Sequence, residues 1–276
     1  MKLINANTRT QSIEGGQRVQ SLTLGQGRQS INLIAEGPYT SGPYDKIENI
    51  SPDLFAQFRY PVYNNTQVLF RDPACTLPVT DAGVHTIGGV KDPFTGAIIL
   101  TQPDAAKRLM WMGEVLGAKG DGVDDYLYGD NPLESSSRTI IIGAKSPANL
   151  NSVLAATSNA SNNGFYIRAL AERDVRIRQQ GPVITSLSLS SYQESEPFVV
   201  SFRFDTTDGH WGRIRGIPAN TNIATDEGTD SPNFFVGARG WGTNTKDHFD
   251  GYITEVAAWI RVLSIPEIST VEGVLA

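Results

Sequence analysis

Gly120-Asp121-Gly122-Val123-Asp124-Asp125-Tyr126-Leu127 and Phe249-Asp250-Gly251-Tyr252-Ile253-Thr254-Glu255-Val256 each set a tight Asp-Gly turn in front of a run that reads as a strand. An Asp side chain bonds backbone N–H groups just ahead of it and Gly takes the positive φ such turns need, so the pair marks a turn with a mechanism. The second run continues through Ala257-Ala258-Trp259-Ile260-Arg261 and then meets Ser264, with Pro266 in the first turn and Glu267 three residues on. That is a capping box at the start of a short helix. Ile268, Val271 and Leu275 fall on one side of it, enough to pin it against a sheet.

Between the two segments the strands succeed one another. Arg138-Thr139-Ile140-Ile141-Ile142-Gly143-Ala144 is a continuous apolar run suited to a strand buried on both sides or lying in the sandwich core. Asn163 to Ala169, Val175 to Arg178 and Pro197 to Phe204 follow at spacings that turns can bridge. Phe198, Val200, Phe202 and Phe204 alternate with Val199, Ser201 and Arg203, so one face of that strand is core. With 27 Gly and 15 Pro in 276 residues the chain is chopped into short runs, the composition of an all-β protein, and 39% apolar residues suffice for a core.

The formal charge of −6 opposes a nucleic-acid footprint, which needs a concentrated basic surface. Residues 1–100 carry eight basic and eight acidic side chains, so of the 23 basic and 29 acidic in the chain the whole acidic excess lies beyond them. The single cysteine, Cys75, can make no intrachain disulfide and reads as a buried thiol. Met1 to Arg9 has no apolar stretch of a signal peptide, and no run approaches membrane-spanning length, so synthesis in a cytoplasm without membrane insertion is expected.

Residues 1–60 contain short alternating runs punctuated by Gly15-Gly16, Gly25-Gln26-Gly27 and Gly37-Pro38, and are expected to form an N-terminal β-rich arm or small module. Residues 61–103 carry Pro61, Pro73, Pro78, Pro93 and Pro103 and are expected to connect it to a sandwich over 104–276.

The two Asp-Gly segments, in this order and with Phe234-Phe235-Val236-Gly237-Ala238-Arg239 before the second, resemble the opening and closing strands of the laminin-G-like, concanavalin A-like β-sandwich. Val68 to Gly83, with Leu69-Phe70-Arg71-Asp72 and Pro78-Val79-Thr80, is similar to a lead-in found before such domains in phage and prophage proteins. Those proteins follow it with an Asp-Lys-Ser-Gly-Asn-Gly loop, where this chain has Lys91-Asp92-Pro93-Phe94-Thr95-Gly96. The resemblance covers about 68–276. It implies an all-β fold, an antiparallel concanavalin A-like jelly roll with an N-terminal arm and a short C-terminal helix, that binds sugars or proteins and does not transform them.

Hydrolases on related sandwiches use two acidic residues alternating along one strand, and no such run occurs here; Asp250 and Glu255 would point to opposite faces of a regular strand. Asp121, Asp124 and Asp125 could supply oxygen ligands to calcium, or their side chains could serve Asx turns. His85, His210 and His248 show no metal-ligand spacing. Loop aromatics are the better ligand candidates, because a flat ring stacks on the apolar face of a sugar. Trp241, in Gly240-Trp241-Gly242-Thr243-Asn244, and Trp211 are the two, with Asn244 beside the first; Trp111 and Trp259 are expected in the core. Arg176 and Arg178 share a strand face and could meet an acidic polysaccharide or a partner.

The expectation is a non-enzymatic virion component: a tail fibre, receptor-binding or head decoration protein, made in the host cytoplasm without a signal peptide. It would display a lectin-like sandwich for host-surface glycan binding or virion assembly. Other virion proteins would hold it through the N-terminal region, it would form a homo-oligomer, and no cofactor beyond calcium is implied. The alternatives are a carbohydrate-binding module of a bacterial surface or polysaccharide-processing system and a glycoside hydrolase of the concanavalin A-like class.

Overall fold

The computed structural model describes residues 20–24, 27–31, 44–133, 137–145, 152–157, 164–170, 174–180, 185–189, 196–205, 211–214, 217–220, 232–241 and 244–276; for 20–31, 178–180, 185–187, 217–220 and 241 the description is of the backbone. Two antiparallel sheets dominate it. One has eight strands, in the order Ile217–Asn220, Trp211–Ile214, Pro197–Phe204, Arg138–Lys145, Asp250–Trp259, Ala118–Asp121 and Met110–Trp111, with Leu54–Gln57 also paired to Asp250–Trp259. The other has nine: Thr185–Leu189, Val175–Gln180, Gly164–Ala169, Ser152–Ala156, Asn233–Val236, Leu127–Asp130, Ile98–Thr101, Gly89–Lys91 and Leu69–Phe70. The inner faces make one apolar core, so the chain is a β-sandwich.

The sequence pattern explains the layers. Phe198, Val200, Phe202 and Phe204 are buried in the core as the alternation requires. The run Ile140-Ile141-Ile142 is buried on both faces because the helix Ile265–Leu275 covers part of the outer side. That helix has the expected capping box between Ser264 and Glu267. Its buried face is Ile268, Val271, Val274 and Leu275, and side chains of this kind stabilise by roughly 1.5–3 kcal/mol each when fully removed from water. Ser201 donates to Glu272 on the helix, which is how a polar residue of the sheet's outer face becomes buried.

The boundaries expected at 60 and 103 do not hold in the strand pairing. Leu54–Gln57 runs antiparallel to the closing strand, with Glu255 opposite Gln57 and Ala258 opposite Leu54. Tyr44, Ile47, Phe55 and Phe58 belong to the core. Leu69–Phe70, Gly89–Lys91 and Ile98–Thr101 build one side of the nine-stranded sheet. The prolines do keep long elements from forming, but the region answers with strands of two to four residues that stop short of them. Two core indoles fasten this segment: Trp111 Nε1 donates to the Phe58 carbonyl at 3.0 Å and Trp259 Nε1 to that of Ile50 at 3.2 Å.

The hairpin of Gln20–Leu24 and Gly27–Ile31 forms a two-stranded sheet of its own. Cys75 is buried, and burial pushes its thiol up to about 11. No helix among the described residues is long and apolar enough to cross a membrane.

Candidate functional site

Strand alternation builds an aromatic row on the outer face of the nine-stranded sheet. Leu127, Phe234 and Val236 point into the core, so Tyr128 and Phe235 point away from it, and the register sets Tyr128 directly opposite Phe235. Ala156 is paired to Phe235 on one side and to Tyr166 on the other. The rings of Tyr126 and Tyr128 lie 6.0 Å apart, and Phe235 lies 6.3 Å from the first and 6.2 Å from the second. Tyr126 and Tyr128 are half-buried, Phe235 keeps 8% of its surface, and His248 stands 6.1 Å from Tyr126 at the end of the row.

A second hairpin, Arg239–Trp241 paired with Asn244–Lys246, borders this face. It is fastened by Asp247. The Asp247 carbonyl accepts from the Val153 N–H at 2.7 Å, and its carboxylate meets the guanidiniums of Arg239 and, at 3.2 Å, Arg168. The Arg239 guanidinium lies 4.8 Å over the Tyr166 ring, which with Val153 and Ala156 forms a small apolar cluster separate from the core. The Arg239 guanidinium thus helps to cover Tyr166, which is buried along with Val153, Ala156 and Phe235 on the same face.

At the other end of the row stand the three aspartates. Asp121, Asp124 and Asp125 bring a carboxylate oxygen each to within 4.8 Å of one another. Asp121 Oδ1 accepts from the N–H of Val123 at 2.8 Å and of Asp124 at 3.3 Å, so the Asx turn read in the sequence is present. Despite the cost of partial burial, these backbone donors hold Asp121 below the usual carboxylate range. Asp125 is 8% exposed, and its burial, with the charges of Asp121 and Asp124, pushes its carboxyl up to about 7. A cation would relieve that crowding, and the three oxygens fit calcium as half of a set that backbone carbonyls and water would complete. His248, its Nε2 2.9 Å from Thr245 Oγ1, is pushed below the ordinary imidazole range by burial.

The structure gathers most of the candidates read from sequence on this side. Asn244 is exposed on the bordering hairpin, and Trp241 is its register partner, with its side chain outside the described residues. Arg176 is half-buried with Nε 3.4 Å from Ser188 Oγ; Arg178 stands at the register position opposite Tyr166, its side chain likewise outside the described residues. His210 lies outside them altogether. Trp211 is elsewhere: it belongs to the eight-stranded sheet, packs against the core, and has the Arg213 and Arg203 guanidiniums 5.5 Å and 6.0 Å from its ring. Trp111 and Trp259 are buried, as expected.

Near Trp211 a cleft of about 440 Å³ opens between the C-terminal helix and the sheet, lined by Arg59, Phe198, Arg213, Thr254 and Glu272 among others. Its polar groups already serve one another. Arg213 meets Glu272 at 2.6 Å and donates to Ser269 at 2.9 Å, while Arg59 meets Glu255 at 2.8 Å and donates to the Leu275 carbonyl at 2.9 Å. The cleft is a seam between helix and sheet whose two arginines are paired with Glu272 and Glu255.

Tyr126, Tyr128, Phe235 and Tyr166 were not among the candidates read from sequence. The signal was there for three: Tyr126-Leu127-Tyr128 alternates about a core leucine, and of the adjacent Phe234 and Phe235 one must face outward. Nothing in the sequence brings Arg239 over Tyr166.

No protein-family model matches the chain, and neither does any curated protein. Solved structures do. The botulinum neurotoxin serotype G binding domain superposes on 81% of this chain and 51% of that chain, with a TM-score of 0.51 at 8% identity. A Ruminococcus gnavus IT-sialidase CBM40 bound to α2,3 sialyllactose covers 50% of this chain and 83% of that one, with a TM-score of 0.43 at 16% identity. The NanB sialidase from Streptococcus pneumoniae gives 0.42 at 18% identity over 50% of this chain, which spans 24% of the sialidase. At such identities the likeness shows the fold alone.

Proposed function

We propose that this chain is a non-enzymatic glycan-binding component of a phage particle, and that the aromatic row on the outer face of the nine-stranded sheet takes host-surface sugars. The observation that carries the reading is the pair of half-buried rings Tyr126 and Tyr128, backed by the buried Phe235 and flanked by carboxylates at one end and guanidiniums at the other. Flat rings give stacking area to the C–H faces of sugars, and the polar ends fix orientation. The botulinum binding domain supports a sandwich used for binding, and the phage assignment rests on the resemblance of 68–276 to virion proteins. Glu255 argues against a hydrolytic carboxylate pair with Asp250, because it is fully buried and engaged by Tyr44 and Arg59.

Attachment to other virion proteins, and assembly of a homo-oligomer, fall to the N-terminal arm before Tyr44, whose hairpin among the described residues pairs within itself and would offer strand edges to another chain. The three aspartates would take calcium as a structural ion beside the row. The test is binding of the full chain to host cells and to a glycan panel. Tyr128→Ala should weaken binding roughly tenfold or more, about 1.4 kcal/mol, with little change in folding. Full binding by that variant would remove the row from the function; finding the protein absent from purified particles would remove the virion.

A further inference from the structure

The register of the outer face puts like charges directly opposite one another, twice. Arg168 on Gly164–Ala169 is paired with Arg176 on Val175–Gln180, and Arg239 is paired with Lys246 in the bordering hairpin. Arg178 is the register partner of Tyr166 in the same pair of strands. Directly opposed like charges destabilise a sheet unless an anion offsets them. Asp247 is shared by the guanidiniums of Arg168 and Arg239. All this occurs in a chain whose overall charge is −6.

The cations also adjoin rings. Arg239 lies over Tyr166, Tyr166 is joined through Ala156 to Phe235, and Phe235 to Tyr128 and Tyr126. A sugar ring stacked on the row could therefore carry a substituent toward the guanidiniums. Planar guanidinium groups match carboxylate and sulfate bidentately, whereas a neutral hydroxyl gains no such pairing.

We infer that the basic end of the aromatic row selects acidic sugars, a uronate or another carboxylated or sulfated residue of a surface polysaccharide. Burial first, then the charge of Arg239, lowers the Lys246 ammonium below its ordinary range, with Asp247 opposing and Arg168 adding to the shift. The inference rests on the glycan-binding reading of this face and adds the class of sugar.

The test compares three probes on the full chain by calorimetry or biolayer interferometry: an oligogalacturonate, the same oligosaccharide with its carboxyls reduced to alcohols, and a poly-glutamate peptide of equal charge. The oligogalacturonate should bind about tenfold or more tightly than its reduced counterpart, the advantage should shrink as salt rises, and Arg176→Gln and Lys246→Gln should each narrow it several-fold. Equal affinity for the acidic and reduced sugars would overturn the acidic class while leaving a glycan site in place. Equal binding of the peptide would overturn it in favour of a protein contact driven by charge. Binding of neither sugar, with none from a host-derived panel, would overturn both this inference and the glycan reading.

Discussion

Arg59 and Glu255 hold each other 2.8 Å apart, and the Tyr44 hydroxyl donates to the same carboxylate oxygen at 2.7 Å. The carboxylate is fully buried on the closing strand, at a bulge opposite Gly143, where an added Cβ would collide with Thr254 Oγ1 and Glu255 Oε2. Burial raises the Glu255 pKa and Arg59 counters it. This is the charged lock between the N-terminal segment, the closing strand and, through the Leu275 carbonyl, the C-terminal helix.

Removing one partner of a buried pair leaves the other charge uncompensated, which costs about 3–5 kcal/mol. Arg59→Met should therefore lower unfolding stability in urea by an amount of that order, and Glu255→Gln by less, since the amide keeps an acceptor for Tyr44. Arg59→Met as stable as the wild type would show that the pair is not a lock.

A fragment of residues 44–276 should melt cooperatively with a β-type circular dichroism spectrum, and a fragment of 104–276 should not. The shorter one lacks Leu54–Gln57, the three strands between 69 and 101, and Tyr44 and Arg59, which engage Glu255. A native-like melt from 104–276 would contradict the integration of the early strands into the sheets.

Deleting residues 1–43 should leave the sandwich folded while abolishing incorporation into particles and self-association. Size-exclusion chromatography with light scattering checks the second, and particle proteomics the first. Unchanged assembly would move the attachment surface onto the sandwich.

Asp125 gives a pH dependence of definite sign. Its carboxyl is pushed up to about 7 in the folded chain, against about 3.9 when unfolded. The folded state therefore holds the extra proton between those values, and the contribution of this group to stability falls as pH rises from about 4 to about 7. Asp125→Asn should match the wild type near pH 4 and exceed it at pH 8 by about 1–4 kcal/mol. Millimolar calcium should raise the wild-type melting temperature at pH 8 and do much less for the variant. Identical pH profiles for the two proteins would refute the crowding of Asp121, Asp124 and Asp125.

The sandwich was legible because its signals are local: Asp-Gly turns, alternation in Pro197–Phe204, the apolar run at Ile140 to Ile142, and the cap at Ser264. The early strands were not, because two or three residues between prolines carry no period, and Leu54–Gln57 is fixed by a partner strand near the other end of the chain. The proposed site divided in the same way. Asn244, Arg176 and the aspartates could be picked out by residue type and turn setting. The Tyr128–Phe235 pairing is a matter of register between distant strands, and Trp211, alike in sequence setting to Trp241, was separated from it only by which sheet its strand joined.

The central claim is that sugar lies on the outer face of the nine-stranded sheet. Photo-crosslinking tests it most directly: an oligosaccharide retained from the host-derived panel, carrying a diazirine, is bound to the full chain, irradiated, and located by peptide mass spectrometry. Adducts should fall on the segments holding Tyr126 and Tyr128 and on those from Phe235 to His248, and should disappear under competition by the unlabelled sugar. Adducts confined to Trp211, Arg213 and the C-terminal helix would place the sugar in the helix-sheet cleft and contradict the account.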